Sequence, residues 1–158
     1  MKVIVDTNII FSALLNTSGT IGDLIFDSEN VFDFYSCEYM RFEINKHWIK
    51  LKHISKLTDT DLKESLFKLL TKIRFINEEL IPEKLWLKAE KLAGDVDEDD
   101  TDFVALTLYL KGILWTGDKG LYTGLRNKGF EKIISTQELL ISRTKQKKKK
   151  HIPPSFET

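Results

Sequence analysis

Short runs of apolar residues alternate along this chain with longer stretches whose apolar positions recur every three or four residues. Lys2 to Val5 is the first short run. Its successive β-branched side chains read as a strand covered on both faces, as parallel strands usually are. Ile9 to Leu15 continues as helix. A second strand is predicted at Phe32 to Tyr35, followed by a helix over Glu38 to His53 with a stripe at Met40, Ile44, Trp48 and Leu51. Thr60 is positioned to cap another amphipathic helix, marked by Leu62, Leu66, Leu69, Leu70 and Ile73. Arg74 to Ile76 reads as a short strand. Pro82 suits a first helical turn, Leu85, Ala89 and Leu92 form a stripe, and Gly94 suits the stop. A helix from Asp100 to Leu110, a strand at Ile113 to Trp115, and a last strand and helix at Lys132 to Ile134 and Gln137 to Ser142 complete the series. This alternation predicts an α/β fold: a parallel sheet of about five strands with helices on both faces. Residues 1–142 are read as one folded domain, and residues 143–158, polar, lysine-rich and ending beyond Pro153-Pro154, as a disordered basic tail.

Composition agrees with one domain, since 158 residues with 42 % hydrophobic content support a single core. Lys+Arg and Asp+Glu both number 24, so the overall charge points to no polyanionic partner. Its distribution is more informative. Acids crowd at Asp95, Asp97, Glu98, Asp99, Asp100 and Asp102, and bases at Lys145, Lys147, Lys148, Lys149 and Lys150. The single cysteine, Cys37, excludes an internal disulfide and a cysteine-rich zinc site. The first apolar run is too brief for a signal peptide, and no segment has the length of a membrane span, so a cytoplasmic protein is expected. No glycine-rich phosphate loop occurs, and His47, His53 and His151 show no pairing with a serine or cysteine nucleophile.

The chemistry lies with the acids. In a parallel sheet, ligands bind beyond the carboxyl ends of the strands. Asp6 follows one such end, and Asp118, in Trp115-Thr116-Gly117-Asp118, follows another. Either could instead be a helix cap or a turn residue. In DVDEDDTDFVALTL, residues 95 to 108, steps of three, four and seven from Asp100 reach Phe103, Val104 and Thr107. Asp100 therefore heads the inward side of its helix. Asp97 is the next candidate, whereas Asp95, Glu98, Asp99 and Asp102 are assigned to a solvated helix entrance. Glu43 borders the apolar stripe of its own helix and is the fourth candidate. Carboxylates gathered in one crevice repel one another unless a cation neutralises them. Oxygen-only ligands suit Mg²⁺ or Mn²⁺, which activate water and offset charge on a leaving oxygen; a phosphodiester is the matching substrate.

VDTNIIFSALL, an acid on the helix after the second strand, DEDDTDFVALTL and ILWTGDKGL, in that order, resemble a PIN domain over residues 2 to 140. The resemblance implies a three-layer α/β/α sandwich, metal-dependent RNA cleavage and, as in many members, the toxin half of a toxin and antitoxin pair. It carries the four acidic positions onto Asp6, Glu43, Asp100 and Asp118, with Asn8 and Thr116 in support. The surplus acids make Asp97 and Asp99 rivals to Asp100. A receiver-like phosphatase fits poorly because position 8 is Asn rather than a second acid. A catalytically silent scaffold that binds RNA or protein remains the alternative function. Lys147, Lys148, Lys149 and Lys150 are candidate RNA contacts through their charge. Phe42 and Ile49 lie opposite the Met40 and Ile44 stripe, so that face is covered either by an antitoxin or second copy, or by the helix from Leu62 to Ile73.

Overall fold

The computed structural model describes residues 1–150; His151, Pro153 and Pro154 lie outside the described residues. Five strands, β1 (Lys2–Val5), β2 (Asp33–Cys37), β3 (Ile73–Ile76), β4 (Ile113–Trp115) and β5 (Ile133–Ile134), form one sheet in the order β3-β2-β1-β4-β5. Every pairing is parallel, with Ile4 opposite Tyr35 on one side and Leu114 on the other. Val3, Ile4 and Val5 are fully buried, as the unbroken apolar run requires of a central strand.

Nine helices flank the sheet among the described residues. On one face, α1 (Thr7–Leu15) is surrounded by α2 (Thr20–Phe26), α3 (Tyr39–Lys46), α4 (Trp48–Ser55) and α5 (Asp59–Leu70). On the other, α7 (Thr101–Leu110) lies on β1, β2 and β4 and is covered in turn by α6 (Glu83–Ala93), with α8 (Lys119–Asn127) beside α6. Sandwiched between the sheet and a helix, α7 buries Phe103 through Thr107 consecutively, which explains why its sequence is apolar almost all round. The result is the expected three-layer sandwich. No single helix among the described residues is long and apolar enough to cross a membrane.

Four local differences from the sequence reading have physical causes. The stretch after β2 is two helices, with a break at His47, whose ring packs edge-on against Phe11 of α1 at 5.8 Å. Phe42 and Ile49 therefore sit on different helices, and their exposures of 58 % and 83 % overturn burial against α5. The cap of α5 is Thr58, which accepts from the Asp61 N–H, rather than Thr60. Finally α9 (Thr136–Lys150) runs eight residues past Ser142, so the described part of the basic segment is helical. Lysine and glutamine are good helix formers, and Arg143 ties the helix to α2 through Asp23 at 2.8 Å.

Candidate active site

β1 and β4 are neighbours whose following helices cover opposite faces of the sheet. This is the switch point at which a crevice opens beyond the carboxyl ends. The Asp6 N–H donates to the Trp115 carbonyl at 3.1 Å, carrying the ladder into the crevice. Only 3 % of Asp6 is exposed, and its Oδ2 accepts from the Thr116 hydroxyl at 2.8 Å. Although Asp6 stands at the cap position of α1, its side chain makes no capping hydrogen bond. Burial is the main force raising its carboxyl to about 6, and the Asp118 charge adds to it.

Thr116 and Asn8 join the two turns. The Asp118 N–H donates to Thr116 Oγ1 at 3.1 Å, the Gly117 N–H donates to Asn8 Oδ1 at 3.2 Å, and the Asn8 amide meets Thr116 Oγ1 at 3.5 Å. Asp118 does cap α8, accepting from the Leu121 N–H at 3.1 Å, but with only one carboxylate oxygen. Next to it a cavity of about 480 Å³, lined by Thr116, Asp118, Lys119 and Tyr122 among others, extends toward the start of α9.

The acidic run enters from α7. A 3-10 turn, Glu98–Asp100, precedes that helix and is capped by Asp97, whose Oδ1 accepts from the Asp99 N–H at 3.0 Å. Asp100 is 8 % exposed and makes no capping bond. Its carboxyl is raised to about 8, first by burial and then by the charges of Asp6, Asp97, Asp118 and Glu43. Asp97, Asp100 and Asp118 offer carboxylate oxygens that all lie within 4.8 Å of one another. Asp97 and Asp100 are thus neighbours in one cluster. Asp99 is exposed and accepts from the Tyr39 hydroxyl at 3.2 Å.

Glu43 reaches the same region from α3. Its Oε1 accepts from the Thr7 hydroxyl at 2.7 Å, and its carboxyl is raised to about 7 by burial, with Asp6, Asp99 and Asp97 adding to the rise. Thr7 has no local sequence signal for this role, because Glu43 is 36 residues away. Asp102 departs from the solvated position expected of it. It is half-buried, within 4.8 Å of Cys37 and Glu78, and raised to about 6 by burial and then by Glu78 and Asp99.

Lys147 to Lys150 lie elsewhere. α9 starts beside β5 at the carboxyl edge and runs back to the amino edge, where Gln146 reaches Met1 and the Lys150 ammonium donates to the Asn30 carbonyl. The donor set in the crevice is all oxygen, densely anionic and partly buried, which fits a hard divalent cation and not a soft one.

A family model for the PIN domain matches residues 4–148, and the chain belongs to that family. Its fold is similar to PAE2754 from Pyrobaculum aerophilum, with a TM-score of 0.64 and 14 % identity over 92 % of this chain and 100 % of that one. It is similar also to a chain of VapBC2 from Rickettsia felis, a structure bound to a DNA fragment from their promoter; there the TM-score is 0.57 and identity 12 %, covering 85 % and 97 % of the two chains. No curated protein matches the sequence.

Proposed function

We propose that this chain is a divalent-metal-dependent endoribonuclease. Asp6, Glu43, Asp100 and Asp118 would hold Mg²⁺ or Mn²⁺, with Asp97, Asn8 and Thr116 in support. The observation that carries the reading is Asp100: a carboxylate 8 % exposed, uninvolved in helix capping, and grouped with Asp97 and Asp118 within 4.8 Å. A fold stabilises such a cluster poorly unless a cation or protons neutralise it. When bound, the ion offsets that charge, acidifies water and stabilises negative charge on the departing oxygen. The residues supply position. Thr116 fixes Asp6, Thr7 fixes Glu43, and the Asn8 and Thr116 bonds hold the β1 and β4 turns in register. Without metal, burial and the neighbouring charges raise Glu43 to about 7, so metal binding near neutral pH would draw a proton from it as it becomes a ligand.

The same proposal includes a toxin role with an antitoxin partner, supported by family membership and by the VapBC2 likeness. An apolar groove of about 220 Å³ lined by Phe11, Leu15, His47, Lys50, Leu51 and Ile54 supports a protein-binding face, and exposed Ile49 leaves room for self-association. The test is cleavage of single-stranded RNA with Mn²⁺, with Mg²⁺ and with chelator. Metal-dependent cutting is expected. Full activity in chelator overturns the mechanism, and a stable, metal-binding chain that cuts no RNA favours the silent scaffold.

A further inference from the structure

Tyr39 and Phe42 occupy successive turns of α3, immediately before Glu43, and their rings stack at 5.6 Å between centroids with 23° between planes. Tyr39 is held from behind by Phe103, whose ring lies 6.4 Å away, and at its tip by its hydrogen bond to Asp99. Phe42 has no such cover and is 58 % exposed. Its ring, stacked on Tyr39, leaves an aromatic surface open to solvent next to the acids. The pair lies beside the acid crevice through Tyr39, which bonds Asp99 in the turn that carries Asp100 and stands one helical turn before Glu43 on the same face of α3, while Phe42 stacks on Tyr39.

Resting on the nuclease reading above, we infer that the Tyr39 and Phe42 pair is a stacking platform that receives one unpaired base of the RNA strand beside the scissile phosphate. Every base presents a π-face, so an aromatic platform grips a strand without choosing its sequence. A base stacked on Phe42 has to be splayed from its neighbours, which selects single strands and loops over duplex. The platform holds the strand on the α3 side of the acids, and the cavity beside Asp118 leaves room for it on the other side.

The test uses the full chain, Phe42→Ala, Phe42→Trp, and a single-stranded RNA oligonucleotide made also as a series with one base removed at each position in turn. Thermal melts establish that the variants fold. Phe42→Ala is expected to raise KM about tenfold, in keeping with the usual strength of base stacking on an aromatic, while kcat changes much less. Phe42→Trp should restore KM. Removing the base at one position should raise KM about tenfold in the parent chain and add nothing in Phe42→Ala, because the partner is already gone. Binding is read separately: tryptophan emission of Phe42→Trp, compared with the parent, should be quenched by the oligonucleotide with or without cleavage. Quenching without cleavage retains the platform and rejects the nuclease. Cleavage with an unchanged KM in Phe42→Ala, or equal penalties in both chains for every missing base, rejects the platform and retains the nuclease. A dimer seen by light scattering that Phe42→Ala splits, with KM unchanged, assigns the pair to a protein interface and overturns the inference.

Discussion

At the residue scale, the hydroxyls of Thr116 and Thr7 each hold one acid, and the two acids respond differently to substitution. Asp6→Asn keeps the side chain's shape and an oxygen that can accept from Thr116, while removing a charge that is 3 % exposed. Affinity for Mn²⁺ is expected to fall about tenfold or more, and RNA cleavage about a hundredfold. The metal-free protein should hold or slightly raise its melting temperature, since repulsion with Asp118 is relieved. Calorimetry and cleavage assays on one preparation check both halves. Thr7→Val removes only the 2.7 Å bond to Glu43. Cleavage should drop about fivefold to tenfold, with Thr7→Ser recovering most of it; an unaffected Thr7→Val would remove Thr7 from the centre. Asp6, Asp100 and Asp118 were legible in the sequence as candidates because each follows a strand or heads an apolar helix face. Thr7 was not, because its partner comes from a distant helix. Spacing counted forward from Asp100 along α7 marked it as the inward acid, but how close Asp97 comes to it was not legible, because the 3-10 turn Glu98–Asp100 between them breaks the helical period.

At the scale of the element, the strands were the most readable, since an apolar run between turns leaves few alternatives. Two helices escaped notice. α8 contains Gly120 and Gly124, which mark a turn in a sequence; in the fold, Gly124 lets Val96 come close, and an added Cβ would meet its methyls at 2.9 Å. α2 is seven residues between loops, too short to establish a period. The lysine end of α9 was misread because charge density suggests disorder when the anchor, Asp23, is far away in sequence. Arg143→Ala removes that anchor, and a fall of about 2–4 °C in melting temperature is expected. Changing Lys147, Lys148, Lys149 and Lys150 to Gln should leave the salt dependence of RNA cleavage unaltered. These lysines lie at the amino edge of the sheet, and charges separated by more than a Debye length of about 8 Å are largely screened. A shallower salt slope would bring them back into RNA contact.

For the whole molecule, the carboxyls of Asp6, Glu43 and Asp100, raised to about 6, 7 and 8, couple the crevice to global stability. Unfolded carboxyls titrate near 4, roughly. From there up to about pH 8 the folded state retains protons that the unfolded state has released, so stability falls as pH rises, and the loss is complete only above the folded values. The metal-free melting temperature should therefore drop by several degrees between pH 5 and pH 8. Asp100→Asn should flatten the profile, and saturating Mn²⁺ should oppose it, because ligands bind the folded state more tightly as they ionise. A melting temperature that rises through the same window contradicts the account.

The strand order also gives the crevice a history. β1 is made first and ends in the centre of the sheet, but the bond that joins Asp6 to Thr116 spans 110 residues. A growing chain emerges from its amino end, and contacts so distant in sequence close late. During synthesis Asp6 and Glu43 are therefore present long before Asp100 and Asp118, and β1 waits with its β4 side unpaired. Partial translation products that stop before Ile113 carry Asp6, Glu43 and Asp100 but lack β4, Thr116 and Asp118, and so have no crevice. A cell making this protein meets the assembled centre only once most of the chain has been translated.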